Sequence, residues 1–583
     1  MMSEKTGEIF QTDVLVIGGG IGGHTFAITA KEKHPDLNIL LVEKASAGLT
    51  GPSALVGGRY SGFLPELDDF DTHLKVTVQD FDYICDQDKI RDHLNSSGAV
   101  VRNLERWGVK FVKTPDGQYE RPLSRGATTG LLIDGGGIPA MKALNDYARS
   151  IGVKFQNHVM ATGLLSDRTR VSGAVGFHVR NGKFYIFSSG ATVLATGMTR
   201  FKTIQPGHRN DTGDGYAMAY RAGAEMGGFD STHHNTYGAK QEVGPGNNMF
   251  VGLGGYFLNA KGERFMHRYH PELAERAPFV WLSPSFCMER MAHRAPPIYL
   301  DMRHFTAEKI QSLWRSVPYA MIKFERAGML KGDKFVQPIE YTPEGPRPMP
   351  CGVVTDRNYE SRNLKGLFAI GDASSAKGSG GLPGAAVSGA IAGLYVAGKV
   401  PGAGKARVDA KEAAALKEYT LAPLKRRDGI EPEHAILALQ ESIHPYYVAI
   451  IRHEKHLKQA LAAVERIRDD LIPLLHAYDF HYLMSANETR SMVLCAEMLL
   501  RSALERKESR LGRLRQDYMQ LDNIDWLKHI HLKEQDGKMK VWAEDVPVGP
   551  HALQPKREKI LHPFWQRVQA LGYPDNLEEK NGN

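Results

Sequence analysis

Cysteine is scarce in this 583-residue chain: Cys85, Cys287, Cys351 and Cys495 are scattered, with no Cys-x-x-Cys pair among them. That spacing supports neither a disulfide framework nor an iron–sulfur cluster held by the chain's own ligands. Long apolar runs are also missing. No stretch of about eighteen apolar residues occurs, and the opening Met-Met-Ser-Glu-Lys-Thr-Gly-Glu lacks an apolar signal core. Neither a membrane span nor secretion is expected, and the cytoplasm is the expected location. The formal net charge of +7 is dispersed rather than gathered into Lys/Arg clusters. Nucleic-acid binding is therefore disfavoured, while an acidic protein partner or a small anion suits the balance. No internal repeat or low-complexity tract is evident. The length supports about two to four domains with sizeable cores.

What is present is glycine in a particular order. Residues 13–23 read Asp-Val-Leu-Val-Ile-Gly-Gly-Gly-Ile-Gly-Gly, an apolar strand entering Gly18-x-Gly20-x-x-Gly23. A helix is predicted from about Ile21 to Lys33, and a second apolar run, Ile39 to Val42, ends on Glu43 with Lys44 behind it. Strand, glycines, helix, strand and terminal acid in this order predict a dinucleotide-binding βαβ unit. Gly18 allows the tight turn, Gly20 lets the backbone approach a pyrophosphate, and Gly23 lets helix and strand pack closely. Glu43 stands where an acid holds a ribose hydroxyl pair.

Two further nucleotide-type signals lie far downstream. The first is Ala191 to Gly197, containing Ala195 and Thr196, followed by Thr212-Gly-Asp214-Gly-Tyr-Ala-Met-Ala219. The second is Gly366-Leu-Phe-Ala-Ile-Gly371-Asp372-Ala373, a strand delivering Asp372 to a turn, and then small residues from Gly378 to Gly393. Elements this far apart suit an extended FAD. A helix opening near Gly384 and Ala385 would set free N–H groups at the flavin edge. The interruption also sets the organisation: an α/β, Rossmann-like FAD-binding domain in two parts (1–230 and 341–405), an inserted α+β capping domain (231–340), and a C-terminal helical domain with a polar tail (406–583). The last rests on helical spacing of Leu457, Leu461, Val464, Ile467, Leu471 and Leu474, and of Val493, Ala496, Leu500, Ala503 and Leu504.

Together with Ala222-Gly-Ala-Glu225, Gly262-Glu-Arg-Phe265, Glu508-Ser-Arg510, Arg515-x-Asp517-Tyr518 and Trp526-Leu-Lys528, these motifs resemble the flavoprotein subunit of the succinate dehydrogenase/fumarate reductase superfamily. Pro296-Pro-Ile-Tyr-Leu-Asp301 and Ala477-Tyr-Asp-Phe-His481 resemble most the alpha subunit of adenylylsulfate reductase. The resemblance implies one FAD and, as electron partner, a separate ferredoxin-like iron–sulfur subunit. Departures from the pattern are informative. Where covalent members attach FAD through a His before a Gly-Gly pair, this chain has Thr50-Gly51-Pro52 before Gly57-Gly58, so the FAD is expected to be non-covalent. The family's dicarboxylate clamps correspond to Arg347-Pro-Met-Pro-Cys351-Gly352 and Gly381-Leu-Pro-Gly384. The His is replaced, with Arg347 in its place, and the second Arg is missing, which disfavours fumarate. Arg276 is the candidate for the family's proton-shuttle Arg. The Arg-Asn-His of adenylylsulfate reductase corresponds to Ser283-Pro284-Ser285, which disfavours that substrate too.

Candidates over the flavin follow by position. His233 and His234 come after the Ala-Gly-Ala-Glu segment, and His234 is the first choice for anion binding or proton transfer. Arg290 and His293, three apart on a predicted helix, would share a face able to bind an anionic head group, and Trp281 stands nearby. The expectation is an FAD-dependent oxidoreductase exchanging a hydride or electron pair between flavin N5 and a small anionic substrate, with a homo-oligomer open. The alternatives are an L-aspartate-oxidase-like flavoprotein and an electron-transfer or scaffold flavoprotein with a degenerate site.

Overall fold

The computed structural model describes residues 7–573 apart from 57, 122–129, 204–206, 231–232, 238–246, 345–350, 376–377, 379 and 401–407; of 233–237, 247–248, 279, 332 and 340–344 the backbone alone is described. The first unit is built as the glycine order predicts. β1 (Glu8–Ile17) leads through α1 (Ile21–Lys33) to β2 (Ile39–Glu43), and the two strands pair in parallel from Val14 opposite Ile39 to Ile17 opposite Val42. β3 (Lys154–Asn157) extends the sheet beyond β2. β4 (Val159–Ser166), β5 (Val171–His178) and β6 (Phe184–Leu194) form an antiparallel run that closes back on the parallel core through β6 and β1.

The apolar runs are continuous because both faces of these strands are covered. Val14, Val16, Ile39 and Leu41 face α1 and join one core, while Leu15, Ile17, Leu40 and Val42 face the opposite side and join another. That second core includes Leu439, Val464, Val493 and Leu500, so the C-terminal helices are packed directly on the sheet.

After α2 (Asp214–Arg221) the chain leaves the sheet and builds the cap. β7 (His233–Tyr237), β8 (Tyr256–Leu258), β9 (Ile298–Asp301) and β10 (Val336–Glu344) form an antiparallel sheet in the order β7-β10-β9-β8, with α3 (Phe279–Met291) between β8 and β9 in sequence. Its core of Phe250, Phe257, Phe286, Leu300, Phe324 and Phe335 is shared with Ile451, Leu514, Phe564 and Trp565 of the C-terminal region. The chain then returns to the first sheet. β11 (Leu367–Ala369) lies parallel to β6, and α4 (Gly381–Lys399) packs along α1 so closely that a Cβ on Gly389 would stand 2.5 Å from the Gly22 carbonyl oxygen. α4 is the one described helix long and apolar enough to cross a membrane, yet most of it is buried in this contact.

Apart from the two-residue strand Ile451–Arg452, the described part of the C-terminal region is helical as far as the long helix α5 (Phe480–Glu505). Beyond it the chain turns to strands. β12 (Lys528–Gln535) and β13 (Lys538–Asp545) form a hairpin whose β12 edge pairs with Met226–Gly227. The helical expectation for 406–583 thus holds for its first part only. The hairpin turn is Asp536-Gly537, both at positive φ (53° and 74°), a strong turn signal between strands too polar to show as an apolar run. The expected tail, 574–583, lies outside the described residues.

Candidate active site

A cleft with about 1030 Å³ of atom-free space, partly open to solvent, lies at the carboxyl ends of β1, β2, β6 and β11. This is where open α/β sheets place ligands, at the point where the chain departs from β1 in one direction and returns beside it from the other. Of the predicted cofactor residues, Gly18, Gly20, Glu43, Lys44, Ala195, Thr196, Gly197, Asp214, Gly371, Asp372 and Ala385 line it together.

The three motif glycines do different work. Gly18 sits at φ +111°, and a Cβ there would lie 2.3 Å from the Ala195 carbonyl oxygen. A Cβ on Gly23 would lie 2.1 Å from the Gly18 carbonyl oxygen, so this residue is required by helix–strand packing and stands behind the wall. Gly20 has an ordinary φ of −77°, and a Cβ there would meet only the Ser53 hydroxyl, at 3.1 Å. The protein leaves Gly20 uncovered, as close approach of a pyrophosphate demands. Ser53 also accepts the Ile21 N–H at 3.1 Å and lines the cleft. Sequence reasoning missed it, because a lone Ser thirty-odd positions from the helix it meets carries no local signal.

Polar groups ring the opening. Glu43 accepts the Gly19 N–H at 2.6 Å with one oxygen and the Ala45 N–H at 3.1 Å with the other. Lys44 Nζ donates to Asp214 Oδ2 (2.9 Å), Glu488 Oε1 (2.5 Å), Thr212 Oγ1 (3.0 Å) and the Asn210 carbonyl (3.2 Å). Burial alone would lower the Lys44 pKa, but the Asp214 and Glu488 carboxylates outweigh it and hold the ammonium above its usual range. On the far wall, the Tyr216 hydroxyl donates to the Asp372 carbonyl at 2.5 Å, and the Gly371 N–H donates to Ser388 Oγ at 2.9 Å. Beneath the glycine turn, burial pushes the His24 imidazole down to about 4 while its Nδ1 contacts the Gly20 carbonyl at 3.1 Å.

The residues present fit FAD. Asp214 Oδ1 and Thr196 Oγ1 are buried with no hydrogen-bond partner among the described residues, and both residues line the cleft. Orphaned acceptors and hydroxyls of this kind are costly unless a ligand engages them. Besides Gly23, two described glycines among the predicted cofactor residues stand apart from this wall. Gly58 ties segments together, its N–H donating to the Ser316 carbonyl and its own carbonyl accepting the Ile133 N–H at 2.5 Å; a Cβ there would clash with Ile133. Gly384 lies inside the first turns of α4 and off the cleft lining. Gly57 lies outside the described residues.

The cap candidates divide. The backbone of His233 and His234 runs in β7 opposite Glu344 and Pro343, and their side chains lie outside what is described, as does Arg347. Arg276 is half-buried at the end of a short turn, Ala274–Arg276, just ahead of α3. Arg290 and His293 do not share a helical face. α3 ends at Met291, and His293 lies beyond it at φ +54°; both side chains are exposed and away from the cleft lining. Trp281 packs edge-on against His270 and Phe564, and Ser285 is spent on the Trp281 carbonyl at 2.6 Å. All four cysteines are buried and none forms a disulfide; among the described residues no group of three or more His, Cys, Asp or Glu could hold a metal ion.

Comparison with known proteins agrees with this geometry. Residues 13–406 match a family model described as FAD binding domain, and residues 438–560 match one described as fumarate reductase flavoprotein C-term. The chain is 28% identical over 563 residues to one of the subunits of fumarate reductase (CoM/CoB) from Methanothermobacter marburgensis, covering 91% of this chain and 98% of that one. In fold it is similar to a mutant FrdA of E. coli quinol fumarate reductase (TM-score 0.82, 23% identity, 94% of this chain and 99% of that one). It is also similar to adenylylsulfate reductase from Archaeoglobus fulgidus (TM-score 0.78, 24% identity, 94% and 97%).

Proposed function

From the premise that the chain belongs to the FAD-binding fumarate reductase flavoprotein family, and is thus an FAD-dependent oxidoreductase, we propose that it is the flavoprotein partner of a separate iron–sulfur protein and acts on a small anion. The observation that carries the reading is the cleft itself: a glycine turn left bare at Gly20, an acid ending β2, and the unpartnered Asp214 Oδ1 and Thr196 Oγ1 on one wall. Bound FAD supplies reversible two-electron chemistry, taking up or releasing a hydride at N5.

The protein's own groups do the rest. The start of α1, where Gly20 offers no side chain of its own and Ser53 meets only the Ile21 N–H, would receive the pyrophosphate with its remaining amides. Glu43 and Asp214 take sugar hydroxyls, and Asp372 and Ala385 border the flavin side. The FAD is held without a covalent bond, since Gly51 stands at the attachment locus. On the cap, Arg276 and His234 are the candidates for neutralising the anion and handling its proton; Arg290 and His293 have no part in this reading because they face solvent.

Electrons pass to or from a ferredoxin-like protein, a reading supported by the lack of a described cluster-binding group in this chain. The cytoplasm is the proposed location. The test is to purify the protein from its native cells at low salt, quantify flavin and iron in the co-purifying material, and screen small anions anaerobically for bleaching of the flavin absorbance. An iron-containing partner and a bleaching anion are expected. Reoxidation by oxygen alone at the full turnover rate, with no iron protein recovered, would replace this reading with an oxidase.

A further inference from the structure

A chain of alternating charges runs from the C-terminal half into the cofactor cleft. Its hub is Glu488 on α5, whose side chain is 1% exposed. One carboxylate oxygen takes Lys202 and the other takes Lys44, at 2.5 Å. Lys44 then reaches Asp214 Oδ2, which also accepts the Thr212 hydroxyl at 2.8 Å. The sequence of charges is Lys202, Glu488, Lys44, Asp214, and it ends on Asp214 Oδ1, the buried oxygen with no partner among the described residues. Lys44 lines the cleft, yet its three N–H groups are already spent on four protein acceptors. As a direct ligand it has nothing left to donate; as a strut it joins two carboxylates.

α5 touches this wall a second time. Cys495, about two helical turns from Glu488 and so on the same face, sits with its sulfur 3.7 Å from the Gly213 carbonyl. Gly213 caps α2 immediately before Asp214, and a Cβ on it would lie 2.5 Å from that sulfur. One face of one helix therefore backs the Asp214 turn directly and grips its ammonium partner. A lone Lys–carboxylate pair at the rim of an open cleft retains rotamer freedom in a long flexible stem. A second carboxylate, buried and itself held by Lys202, removes that freedom.

Resting on the reading that this cleft holds FAD, we propose that Glu488 is a positioning residue for the cofactor: from the C-terminal half it fixes Lys44, and through Lys44 it fixes the Asp214 carboxylate whose open oxygen receives a cofactor hydroxyl. Cofactor affinity and the docking of α5 are then linked, and by reciprocity bound FAD holds α5 more firmly on the sheet.

Stability alone cannot test this, because Glu488→Gln also leaves two half-buried lysines short of a counter-charge. The measurement is FAD titration into the flavin-free full chain, followed by fluorescence quenching, for wild type, Glu488→Gln, Asp214→Asn and the double variant, with the flavin-free Tm of each. Each single change is expected to weaken FAD about tenfold or more, the effect of a hydrogen bond to a charged group. On the Asp214→Asn background, Glu488→Gln is expected to add no more than about threefold, because residues that act through one contact are not additive. Losses that multiply to about a hundredfold or beyond, or wild-type affinity in Glu488→Gln, overturn the proposal. If Glu488→Gln does not fold, the same cycle is run with Glu488→Asp, which keeps the charge and should show a smaller loss that likewise vanishes on the Asp214→Asn background. A wild-type chain that takes up no FAD sinks the cofactor reading itself, whereas tight FAD binding with multiplicative losses sinks only the role of Glu488.

Discussion

The carboxylate of Glu43 accepts the backbone N–H of Gly19 at 2.6 Å, so the acid that ends β2 also pins the middle of the glycine turn that ends β1. Its second oxygen holds the Ala45 N–H at 3.1 Å. Each oxygen keeps a lone pair for a ligand hydroxyl. Glu43→Gln replaces one acceptor by an amide donor, which then faces a backbone N–H. FAD affinity is expected to fall about tenfold or more, and the flavin-free Tm to fall with it. Titration and thermal melts on the same preparation check both; unchanged affinity would remove Glu43 from the cofactor site.

The glycines separate folding from binding. A side chain at Gly20 meets only the Ser53 hydroxyl within the protein, while one at Gly18 or Gly23 meets carbonyl oxygens at 2.3 and 2.1 Å. Gly20→Val is expected to fold with a flavin-free Tm within a few degrees of wild type, yet to retain no FAD. Gly18→Ala, forced to keep φ near +111°, is expected to lower the flavin-free Tm itself, since a strained left-handed residue costs about 1–3 kcal/mol before any clash is counted. The sequence alone predicts that a branched side chain at Gly20 invades the approach to the pyrophosphate, a clash relieved only by moving strand and helix apart. In the structure a Cβ at Gly20 meets only the Ser53 side chain, so the obstacle left for it is the pyrophosphate this cleft is proposed to hold. Full FAD occupancy in Gly20→Val would reduce the motif to a structural turn.

What could be read from residues and what could not divides by range. β1, α1 and β2 were legible because a doubly covered parallel strand is an uninterrupted apolar run and the glycine spacing is set by local packing. α5 was legible from its helical stripe of Val493, Ala496, Leu500 and Ala503, all buried. The β12–β13 hairpin escaped despite its Asp536-Gly537 turn, because Lys and Glu fill both strands. His293 was misplaced because α3 ends on a non-glycine residue in the left-handed region, φ +54°, where no glycine marks the stop in the sequence. Glu488 had no signal at all: its partner Lys44 is 444 positions away, and only the folded sheet brings α5 beneath it.

Acid sensitivity should follow from His24. Burial lowers its pKa from 6.5 in the unfolded chain to about 4 in the folded one, so the unfolded state takes a proton that the native state refuses. Its contribution is intact above pH 6.5 and is lost progressively as pH falls toward 4. Between pH 7 and pH 5 this one group removes about 2 kcal/mol of stability. Nε2 has no hydrogen-bond partner among the described residues, so at neutral pH His24→Leu gives up the Nδ1 contact to the Gly20 carbonyl, whose oxygen still accepts the backbone N–H of residue 24. Urea melts at the two pH values should show the variant losing about 2 kcal/mol less than wild type across the interval. Equal losses would place the acid response elsewhere.

Denaturing the protein in acid should release its colour. By the sequence resemblance Gly51, at φ +80° ahead of the short helix Pro52–Leu55, corresponds to the family's attachment locus, and a glycine has no side chain to carry a covalent flavin. Trichloroacetic acid is expected to leave a colourless pellet and a yellow supernatant with FAD in about equimolar amount to the protein. Flavin fluorescence that stays with the denatured chain on a gel would contradict non-covalent binding.

Dicarboxylates should be poor substrates even though the relatives by name reduce fumarate. α4 opens with Gly381-Leu-Pro-Gly384, where Leu382 and Pro383 are buried, so the turn that would carry a clamping Arg offers no cation. A carboxylate drawn into a dry site without its partner loses about 2–5 kcal/mol. That corresponds to a kcat/KM for fumarate roughly thirtyfold or more below that of an ordinary fumarate reductase flavoprotein assayed with the same dye. The loss should fall on succinate oxidation as well, because one clamp serves both directions of a reversible reaction. If both rates match the ordinary enzyme, a cation from elsewhere has rebuilt the clamp, and Arg347→Met becomes the variant that must abolish it.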